Sequence, residues 1–337
     1  MSHRRWLVTG GLGFIGSAFV RWALRERADL AITVLDALTY AGNPANVAEV
    51  AGDPRYSFVK GDIADAERVD AAIGEGADAI VNFAAETHVD RSILDPEAFI
   101  RTDVMGTHVL LEAVRRHRIG RFLQVSTDEV YGDVEHGASR ETDPLRPRSP
   151  YAASKAGGDL QVLAYHTTYG TPVLITRGSN TYGPYQYPEK LIPLFLTNLL
   201  DGEQVPVYGD GLQVRDWLYV DDHARGVAHV LEHGATGEVY NLGGGNGRTN
   251  LEITRELIRL TGRDYERSVR HVTDRPGHDR RYALDCTKAR ALGWSPRVDL
   301  AKGLAETVGW YRDHEAWWRP IKSGEFRDYY RRQYALR

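Results

Sequence analysis

The sequence predicts an α/β fold in which a doubly wound, parallel sheet is followed by a smaller lobe that is partly interleaved with it. In the first 180 residues, short β-branched apolar runs alternate with longer amphipathic stretches. Continuous apolar strands separated by helices are typical of a parallel sheet covered on both faces. The first of these strands ends in a glycine-rich turn, and after about residue 180 the elements become short and rich in turns. A ligand of such a sheet binds beyond the carboxyl ends of its strands.

Strands and helices alternate through the first part of the chain. The predicted strands are apolar and rich in β-branched residues, and they fall at 6–9, 31–35, 56–59, 79–83, 121–125 and 172–175. The predicted helices have amphipathic periodicity and fall near 14–27, 64–73, 97–117 and 150–168. We expect residues 1–180 to form the sheet domain, which also receives a segment near 211–242. Residues 181–337 are expected to form the smaller lobe.

The smaller lobe begins with a segment that excludes regular helix. Residues 182–188 combine glycine, proline and tyrosine, and this composition predicts turns. The glycine run 243–247 predicts a flexible break. Thr249 and Glu252 then have the spacing of a capping box, which predicts that a helix begins there.

Composition and charge exclude several classes of protein. The 337 residues are 42% hydrophobic and 26% charged, as in ordinary globular proteins, and no apolar run approaches the eighteen or so residues of a membrane span. Residues 1–5 lead directly into the first strand without a signal-peptide pattern. Cys286 is the single cysteine, which excludes an internal disulfide and favours a reducing compartment. We therefore expect a cytoplasmic protein.

Nucleic acid and metal are not expected as ligands. The net charge is −4, whereas nucleic-acid binding depends on neutralising phosphates. The tail 327–334 is basic and aromatic, and we interpret it as a solvated helix or a partner contact. None of the twelve histidines has the spacing of a known metal motif.

The turn after the first strand predicts a dinucleotide site of the Rossmann type. Its glycines have both G-x-x-G-x-x-G and G-x-G-x-x-G spacing, at Gly10, Gly11, Gly13 and Gly16. Glycines there let backbone N–H groups approach a pyrophosphate at the helix N-terminus. Asp36 ends the second strand, where a carboxylate binds ribose hydroxyls and disfavours a 2′-phosphate, so NAD is predicted rather than NADP. Asp62, after the third strand, suits the adenine amino group or serves as an ordinary helix cap.

A tyrosine and a lysine are predicted on one face of a helix. Ser149 is the expected N-cap and Pro150 the first helical residue, so Tyr151 and Lys155 stand at i and i+4. A free tyrosine has a pKa of about 10, and a nearby ammonium and a positive nicotinamide both favour its phenolate. An isolated Tyr-x-x-x-Lys would more often be a surface lysine beside a packed tyrosine. Here Thr127 follows the strand before it and can hold a substrate hydroxyl against the tyrosine.

Residues 9–16, 82–87 and 151–155 resemble the extended short-chain dehydrogenase/reductase family, which acts chiefly on nucleotide-sugars. Residues 126–132 resemble its 4,6-dehydratase branch, which acts on dTDP-glucose, as do 38–43, 85–92 and 215–222. Hexose C4 epimerases of the family usually carry a Ser or Thr without the acidic pair that follows Thr127. The resemblance extends from about residue 5 to beyond 320, with no departure at a catalytic position.

The resemblance implies three groups of site residues. The catalytic group is Thr127, Asp128, Glu129, Tyr151 and Lys155. The NAD contacts are Gly10, Gly11, Gly13, Phe14, Ile15, Gly16, Asp36, Leu38, Thr39, Asp62, Ile63, Phe83, Ala84, Ala85, Thr87, Thr102, Tyr151, Lys155 and Asn180. The nucleotide-sugar contacts are Thr87, Thr127, Asn180, Lys190, Leu191, Pro206, Val207, Tyr208, Arg215, Asn250, Asp274, Arg275 and His278. Two of these have plain alternatives, since Asn250 could belong to the helix cap and Arg215 could pair with Asp216.

The resemblance also implies the roles of the catalytic group. Tyr151 takes the C4 hydroxyl proton while hydride leaves C4 for NAD, and the resulting ketone acidifies the C5 hydrogen. Glu129 then takes the C5 proton, and Asp128, held protonated, donates to the departing C6 hydroxyl before hydride returns to C6. Two adjacent acids in a dry pocket favour one ionised and one neutral group. Asp128 and Glu129 could otherwise be solvated loop acids.

Two other functions stay open on the sequence. A C4 epimerase would use the same NAD site and Tyr151 without the acids, and a non-catalytic NAD-binding module would need none of the catalytic group. The thymine methyl is worth only about 1–3 kcal/mol in discrimination, so dTDP is preferred on resemblance alone. Relatives pair through a four-helix bundle formed by the helix that carries Tyr151 and the helix near 97–117, which implies a homodimer.

Overall fold

The computed structural model describes residues 4–275, 277–323, 326 and 330. Residues 1–3 of the N-terminal segment and Pro276 lie outside the described residues. The basic aromatic tail 327–334 also lies outside them, apart from Tyr330.

Strands and helices alternate along the chain as the sequence predicts. The strands are β1 (Arg4–Thr9), β2 (Leu30–Asp36), β3 (Tyr56–Lys60), β4 (Ala79–Asn82), β5 (Arg121–Thr127), β6 (Val173–Gly178), β7 (Asn180–Tyr182), β8 (Val205–Tyr208), β9 (Val214–Arg215), β10 (Trp217–Tyr219), β11 (Val239–Leu242), β12 (Arg248–Thr249) and β13 (Val269–Val272). The α-helices are α1 (Phe14–Glu26), α2 (Ala66–Ile73), α3 (Val89–Leu94), α4 (Pro96–Phe99), α5 (Thr107–His117), α6 (Pro150–Tyr169), α7 (Leu191–Asp201), α8 (Val220–His233), α9 (Asn250–Thr261), α10 (Tyr265–Ser268), α11 (Thr287–Ala291), α12 (Leu300–Asp313) and α13 (Glu315–Ile321).

The centre of the fold is a seven-stranded sheet with the order β11-β6-β5-β4-β1-β2-β3. All of its neighbouring strands pair in parallel. The order turns back at β1, and the carboxyl ends of β1 and β4 therefore flank a crevice in which ligands of doubly wound sheets bind. The doubly wound Rossmann prediction is confirmed.

Helices cover both faces of this sheet. Successive side chains of a strand point to opposite faces, so Val8 packs into one core together with α1 and α8, while Leu7 packs into the other with α2, α5 and α6. Burial on both faces is the physical reason why strands such as β2 and β4 are mainly apolar.

One predicted helix is interrupted. The sequence predicts a continuous helix near 97–117, whereas the structure has α4, a π-helical segment at Ile100–Gly106, and then α5. The wider turns of the π-segment place Asp103 against α6, where Ser154 Oγ donates to Asp103 Oδ2 at 2.7 Å. Periodicity does not reveal a single wide turn, and such turns are frequent at functional sites.

The smaller lobe has a core of its own, built on α7, α9 and α12 around Leu196, Leu257 and Tyr311. Short two-stranded pairs, β7 with β10, β8 with β13 and β9 with β12, connect its segments. The capping box predicted at the start of α9 is present, because Thr249 and Glu252 cap each other's backbone N–H groups. The domain boundary at residue 180 stays a prediction, although α8 packs on α1 and β11 completes the main sheet.

Within the described part of the chain, no helix combines the length and the apolarity that crossing a bilayer requires.

Candidate active site

A large cavity lies at the carboxyl ends of the sheet strands and extends between the sheet and the smaller lobe. Most of the predicted site residues line it. They are Gly10, Gly13, Phe14, Ile15, Gly16, Asp36, Thr39, Asp62, Ile63, Phe83, Ala84, Ala85, Thr87, Thr102, Thr127, Asp128, Glu129, Tyr151, Lys155, Asn180, Lys190, Leu191, Pro206, Val207, Tyr208, Arg215, Asn250, Arg275 and His278.

Three predicted contact residues do not line the cavity. Gly11 faces the core, where a Cβ would lie 2.8 Å from the Val34 methyl groups. Leu38 has a φ of 55° and donates its N–H to Asp36 Oδ1 at 2.8 Å. Asp274 accepts a hydrogen bond from Gln213 and pairs with His278 Nδ1 at 2.6 Å. These three residues contact other protein groups and do not face the cavity. A linear motif does not show which of its residues face a ligand.

The glycine turn fits a pyrophosphate. Gly10 has a φ of 65°, and a Cβ on it would meet the backbone of Ala84 at 2.5 Å. Helix α1 begins after Gly13, which has no side chain to cap it, and its first N–H groups are therefore left to donate to an anion. The cavity lining includes the N-terminal turn of α1, as a dinucleotide site requires.

Replacing Gly16 with Ala is expected to lower stability and NAD affinity together. A Cβ on Gly16 would lie 2.2 Å from the Gly10 carbonyl oxygen, and overpacking of this kind typically costs about 1–3 kcal/mol. Urea unfolding and NAD titration measure the two effects. Gly309→Ala is the matched control, because beyond the adjacent backbone of α12 itself no atom of the described residues lies within 4 Å of its Cβ position. That change should instead stabilise by about 0.5–1 kcal/mol, and equal effects at both positions would contradict the steric argument.

Asp36 ends β2 and is largely held by the backbone. Its Oδ2 accepts the Leu12 N–H at 3.0 Å and its Oδ1 accepts the Leu38 N–H at 2.8 Å. Burial raises its pKa above the usual range, against these two hydrogen bonds. The carboxyl group lines the cavity in a fixed orientation, with a second lone pair on each oxygen for ribose hydroxyls.

Asp62 makes the backbone hydrogen bond expected of a cap and also faces the cavity. Its Oδ1 accepts the Ala64 N–H at 2.8 Å, as a cap does, and its Oδ2 forms an ion pair with Arg101 at 3.1 Å. It also lines the cavity. A contact with adenine stays a prediction.

Tyr151 and Lys155 are both buried on α6, and Ser149 caps that helix as predicted. The Lys155 ammonium donates to the Val125 carbonyl at 2.9 Å. Burial raises the pKa of the Tyr151 phenol well above its usual range, and the charges of Glu129 and Asp103 raise it further. A hydrogen bond with Thr127 opposes this shift. The surrounding protein groups therefore favour the neutral phenol, contrary to the effect expected from the lysine alone.

The two acids after β5 occupy different environments. Asp128 is only 3% exposed, whereas Glu129 is partly exposed. Burial and the charge of Glu129 raise the pKa of Asp128 well above its usual range, which favours the neutral acid at this position. Thr127 Oγ1 donates to Asp128 Oδ1 at 3.2 Å, while Asp128 Oδ2 is buried without a hydrogen-bond partner among the described residues. The roles of Asp128 as acid and Glu129 as base stay a prediction.

The structure removes both plain alternatives for the nucleotide-sugar residues. Arg215 donates to the backbone carbonyls of Val214 and Asp279, each at 2.8 Å, while Asp216 accepts the Asn246 N–H. The cap of α9 is made by Thr249 and Glu252, so Asn250 is not required for it. In the part of the chain that the structure describes, the Oδ1 of Asn250 is buried at the cavity without a hydrogen-bond partner.

Positively charged side chains line the cavity where it is bounded by the smaller lobe. Burial lowers the pKa of Lys190, whose ammonium donates to the Thr87 carbonyl. Arg275 lies 3.5 Å from Asp90 and within electrostatic range of Glu129. Together with Arg215, they supply the positive charge that a sugar diphosphate needs.

Three acidic groups near the reacting centre were not predicted as site residues. Glu86 lines the cavity, and burial together with Asp103 raises its pKa to about 7. Burial raises the pKa of Asp103 to about 6. The Tyr282 hydroxyl lies 3.5 Å from Glu129 Oε2. Glu86 directly precedes Thr87 at a strand end, so that position was a usable signal, whereas Asp103 and Tyr282 reach the site only through the fold.

Comparisons with known proteins agree with this geometry. Residues 7–307 match the family model described as GDP-mannose 4,6 dehydratase. The dTDP-glucose 4,6-dehydratase of Streptomyces niveus is 57% identical over 324 residues, which cover 95% of this chain and 96% of that protein.

Solved structures are similar over nearly the whole chain. DesIV, a dTDP-glucose 4,6-dehydratase from Streptomyces venezuelae solved with NAD bound, has a TM-score of 0.92 and 55% identity, covering 94% of this chain and 100% of that one. The UDP-glucose 4-epimerase of Thermus thermophilus, also in complex with NAD, has a TM-score of 0.85 and 34% identity, covering 92% of this chain and 99% of that one.

Proposed function

The chain belongs to the GDP-mannose 4,6-dehydratase family of extended short-chain dehydrogenase/reductases, and from this premise we propose that it is an NAD-dependent dTDP-glucose 4,6-dehydratase. The observation that carries the proposal is the acid pair at the end of β5. Asp128 is buried and its pKa is raised well above the usual range, Glu129 lies beside it, and both line the cavity with Tyr151. Water loss from C6 needs such an acid and base together.

The residues at the glycine turn would hold NAD. The open N-terminus of α1 would bind the pyrophosphate, Asp36 would accept the adenosine ribose hydroxyls, and Tyr151 and Lys155 line the same cavity. NAD, when bound, supplies the acceptor for hydride from C4 and the donor of hydride to C6, so it is regenerated in each cycle.

The side chains carry the proton transfers. Tyr151, as phenolate, takes the C4 hydroxyl proton, with Thr127 holding that hydroxyl in place. Glu129 takes the proton from C5, which the 4-ketone has made acidic, and Asp128 donates its proton as the C6 hydroxyl leaves as water. Glu129 then returns the proton to C5 when C6 is reduced. The product is dTDP-4-keto-6-deoxyglucose.

The acid pair also distinguishes this function from C4 epimerisation. An epimerase returns hydride to C4 and needs neither a base at C5 nor an acid at C6. The high pKa of Asp128 has no use in that reaction. The Oδ2 of the same residue, which is buried and meets no hydrogen-bond partner within the described chain, is costly unless a ligand meets it. The intact group of Thr127, Tyr151 and Lys155 likewise argues against a non-catalytic NAD-binding module.

Incubation with dTDP-glucose and NAD tests the proposal. Mass spectrometry should detect the loss of one water, the alkali-induced chromophore of the 4-ketone should appear, and reduced nicotinamide should not accumulate. Conversion to the galactose epimer without water loss would instead support the epimerase. Equal kcat/KM for the UDP-glucose reaction would overturn the preference for dTDP.

We also propose that the enzyme is a homodimer. Helix α6 packs against the π-segment and α5, and large apolar side chains on these elements face solvent. Met105 is 52% exposed and Leu160 is 57% exposed. Exposed apolar surface on paired helices supports a four-helix bundle with a second copy.

Replacing Leu160 with Glu should therefore shift the protein from dimer to monomer, because a charge at the bundle centre is buried without a partner. Sedimentation velocity over a range of concentrations measures the change. Leu212→Glu is the control, since Leu212 is an exposed apolar residue (44%) in the smaller lobe. A wild-type monomer, or an undisturbed dimer in Leu160→Glu, would contradict this interface.

The compartment rests on the sequence. The single cysteine, Cys286, is buried, and burial raises the pKa of its thiol to about 12, so it is not poised for disulfide exchange. We propose a cytoplasmic location because the sequence has a single cysteine, which excludes an internal disulfide and favours a reducing compartment.

A further inference from the structure

The proposed dehydration leaves two side chains in the wrong protonation states after each turnover. Tyr151 begins as the phenolate and ends with the C4 hydroxyl proton. Asp128 begins as the acid and ends as the carboxylate, because its proton departs in the water molecule. Glu129 takes the C5 proton and gives it back. The reaction as a whole neither releases nor takes up a proton, so one proton must pass from Tyr151 to Asp128 before the next cycle.

The route through bulk water is poor at this place. Tyr151 is 9% exposed, Thr127 is 9% exposed and Asp128 is 3% exposed. If Tyr151 and Asp128 exchanged protons with solvent separately, the net charge of the pocket would differ by one from its resting value until both exchanges were complete. An uncompensated charge in low-dielectric surroundings is costly.

The hydroxyl of Thr127 lies between the two groups. It donates to Asp128 Oδ1 at 3.2 Å, and its interaction with the Tyr151 phenol lowers the pKa of that phenol. It also accepts the Glu129 N–H at 3.3 Å, which fixes its position. A hydroxyl has one hydrogen and two lone pairs, so these three bonds use its full capacity when Tyr151 is protonated and Asp128 is ionised.

We propose that Thr127 is a proton relay that resets the active site between turnovers. The Tyr151 hydroxyl proton moves to Thr127 Oγ1 while the Thr127 hydrogen moves to Asp128 Oδ1. Two O–H bonds break and two form, the phenolate and the carboxylic acid are restored, and no proton leaves the protein. Asp128 Oδ2 has no hydrogen-bond partner among the residues that the structure describes, so the reloaded carboxyl group is free to turn its proton toward the substrate.

The relay rests on the proposed function, and its test separates chemistry from reset. Thr127→Val removes the hydroxyl at nearly constant shape, and Thr127→Ser keeps it. For each protein, rapid quench with enzyme in excess over dTDP-glucose gives the single-turnover rate constant, which needs no reset. Steady-state kcat includes the reset.

We expect kcat of Thr127→Val to fall roughly tenfold or more below its own single-turnover rate constant, as the loss of one positioned proton carrier implies. A burst of one product per active site should precede the steady state. Small buffer acids and bases should raise its kcat without changing the single-turnover rate, because they carry the proton instead. Thr127→Ser should keep the wild-type ratio of the two rates and their insensitivity to buffer.

Equal single-turnover and steady-state rates in Thr127→Val, without a buffer effect, would overturn the relay and leave Thr127 as a contact of the C4 hydroxyl. If Thr127→Val does not fold, the wild-type protein decides: a kcat that rises with buffer concentration at fixed pH means reset through solvent and overturns the proposal. A wild-type protein that never releases water from dTDP-glucose would contradict the proposed function instead.

Discussion

Asp128→Asn is expected to stop water loss while C4 oxidation continues. The variant keeps the size of the side chain and its neutral state, but it has no proton to give to the departing C6 hydroxyl. A positioned general acid is worth about 10²–10⁴-fold in rate, and dehydration should fall by this factor. After mixing with dTDP-glucose, the absorbance of reduced nicotinamide should rise and persist on the enzyme.

Glu129→Gln separates the two acids further. With Gln at this position, the 4-ketone forms but the C5 proton is not removed, so solvent deuterium should not enter C5. Asp128→Asn should still exchange that hydrogen, because its base is intact. Mass spectrometry of recovered dTDP-glucose after incubation in deuterium oxide distinguishes the two variants.

Glu135→Gln is the control for both variants, since the side chain is 88% exposed in the loop that follows and should not affect either step. Oxidation and elimination lost to the same degree in Asp128→Asn and Glu129→Gln would contradict the assigned roles.

Tyr151→Phe is expected to abolish the first step itself. Without the phenol oxygen, nothing removes the C4 hydroxyl proton, so hydride loss from C4 should fall by about 10²–10⁴-fold and reduced nicotinamide should not appear. The affinity for dTDP should be unchanged, because the nucleotide and diphosphate residues lie elsewhere in the cavity. Calorimetric titration with dTDP and stopped-flow absorbance measure the two properties.

The environment of Tyr151 also predicts that NAD changes the pH at which its phenol ionises. Burial, Glu129 and Asp103 raise its pKa, so the phenol is neutral at pH 7 in the protein alone and becomes a base only where positive charge is added. Tyrosinate absorbance should therefore titrate at a lower pH with NAD than without it. Tyr169→Phe at the exposed end of the same helix is the control, and normal C4 oxidation in Tyr151→Phe would exclude Tyr151 as the base.

Much of the fold and of the site could be predicted from local sequence. Apolar runs identified the strands of the sheet because burial on both faces favours apolar side chains along a strand. Two kinds of position made the site residues predictable. The ends of predicted strands gave the glycine turn, Asp36 and the acid pair. The helical period placed Tyr151 and Lys155 on one face of a helix. The interruption of 97–117 was missed, because one π-turn changes the periodicity too little to be seen.

The sequence by itself determined which chemical groups meet at the sheet edge, since parallel strands end at the same side. Only the tertiary structure decided their ionisation and their partners. Asp128 and Glu129 are adjacent in the chain, and the burial of Asp128 together with the charge of Glu129 raises the pKa of Asp128 well above its usual range. Asp103 and Tyr282 reach the site from distant segments, and α6 brings Tyr151 to the end of β5, where Thr127 lies. Desolvation and hydrogen-bond geometry depend on what packs around a group, and packing is a property of the folded chain rather than of any motif in it.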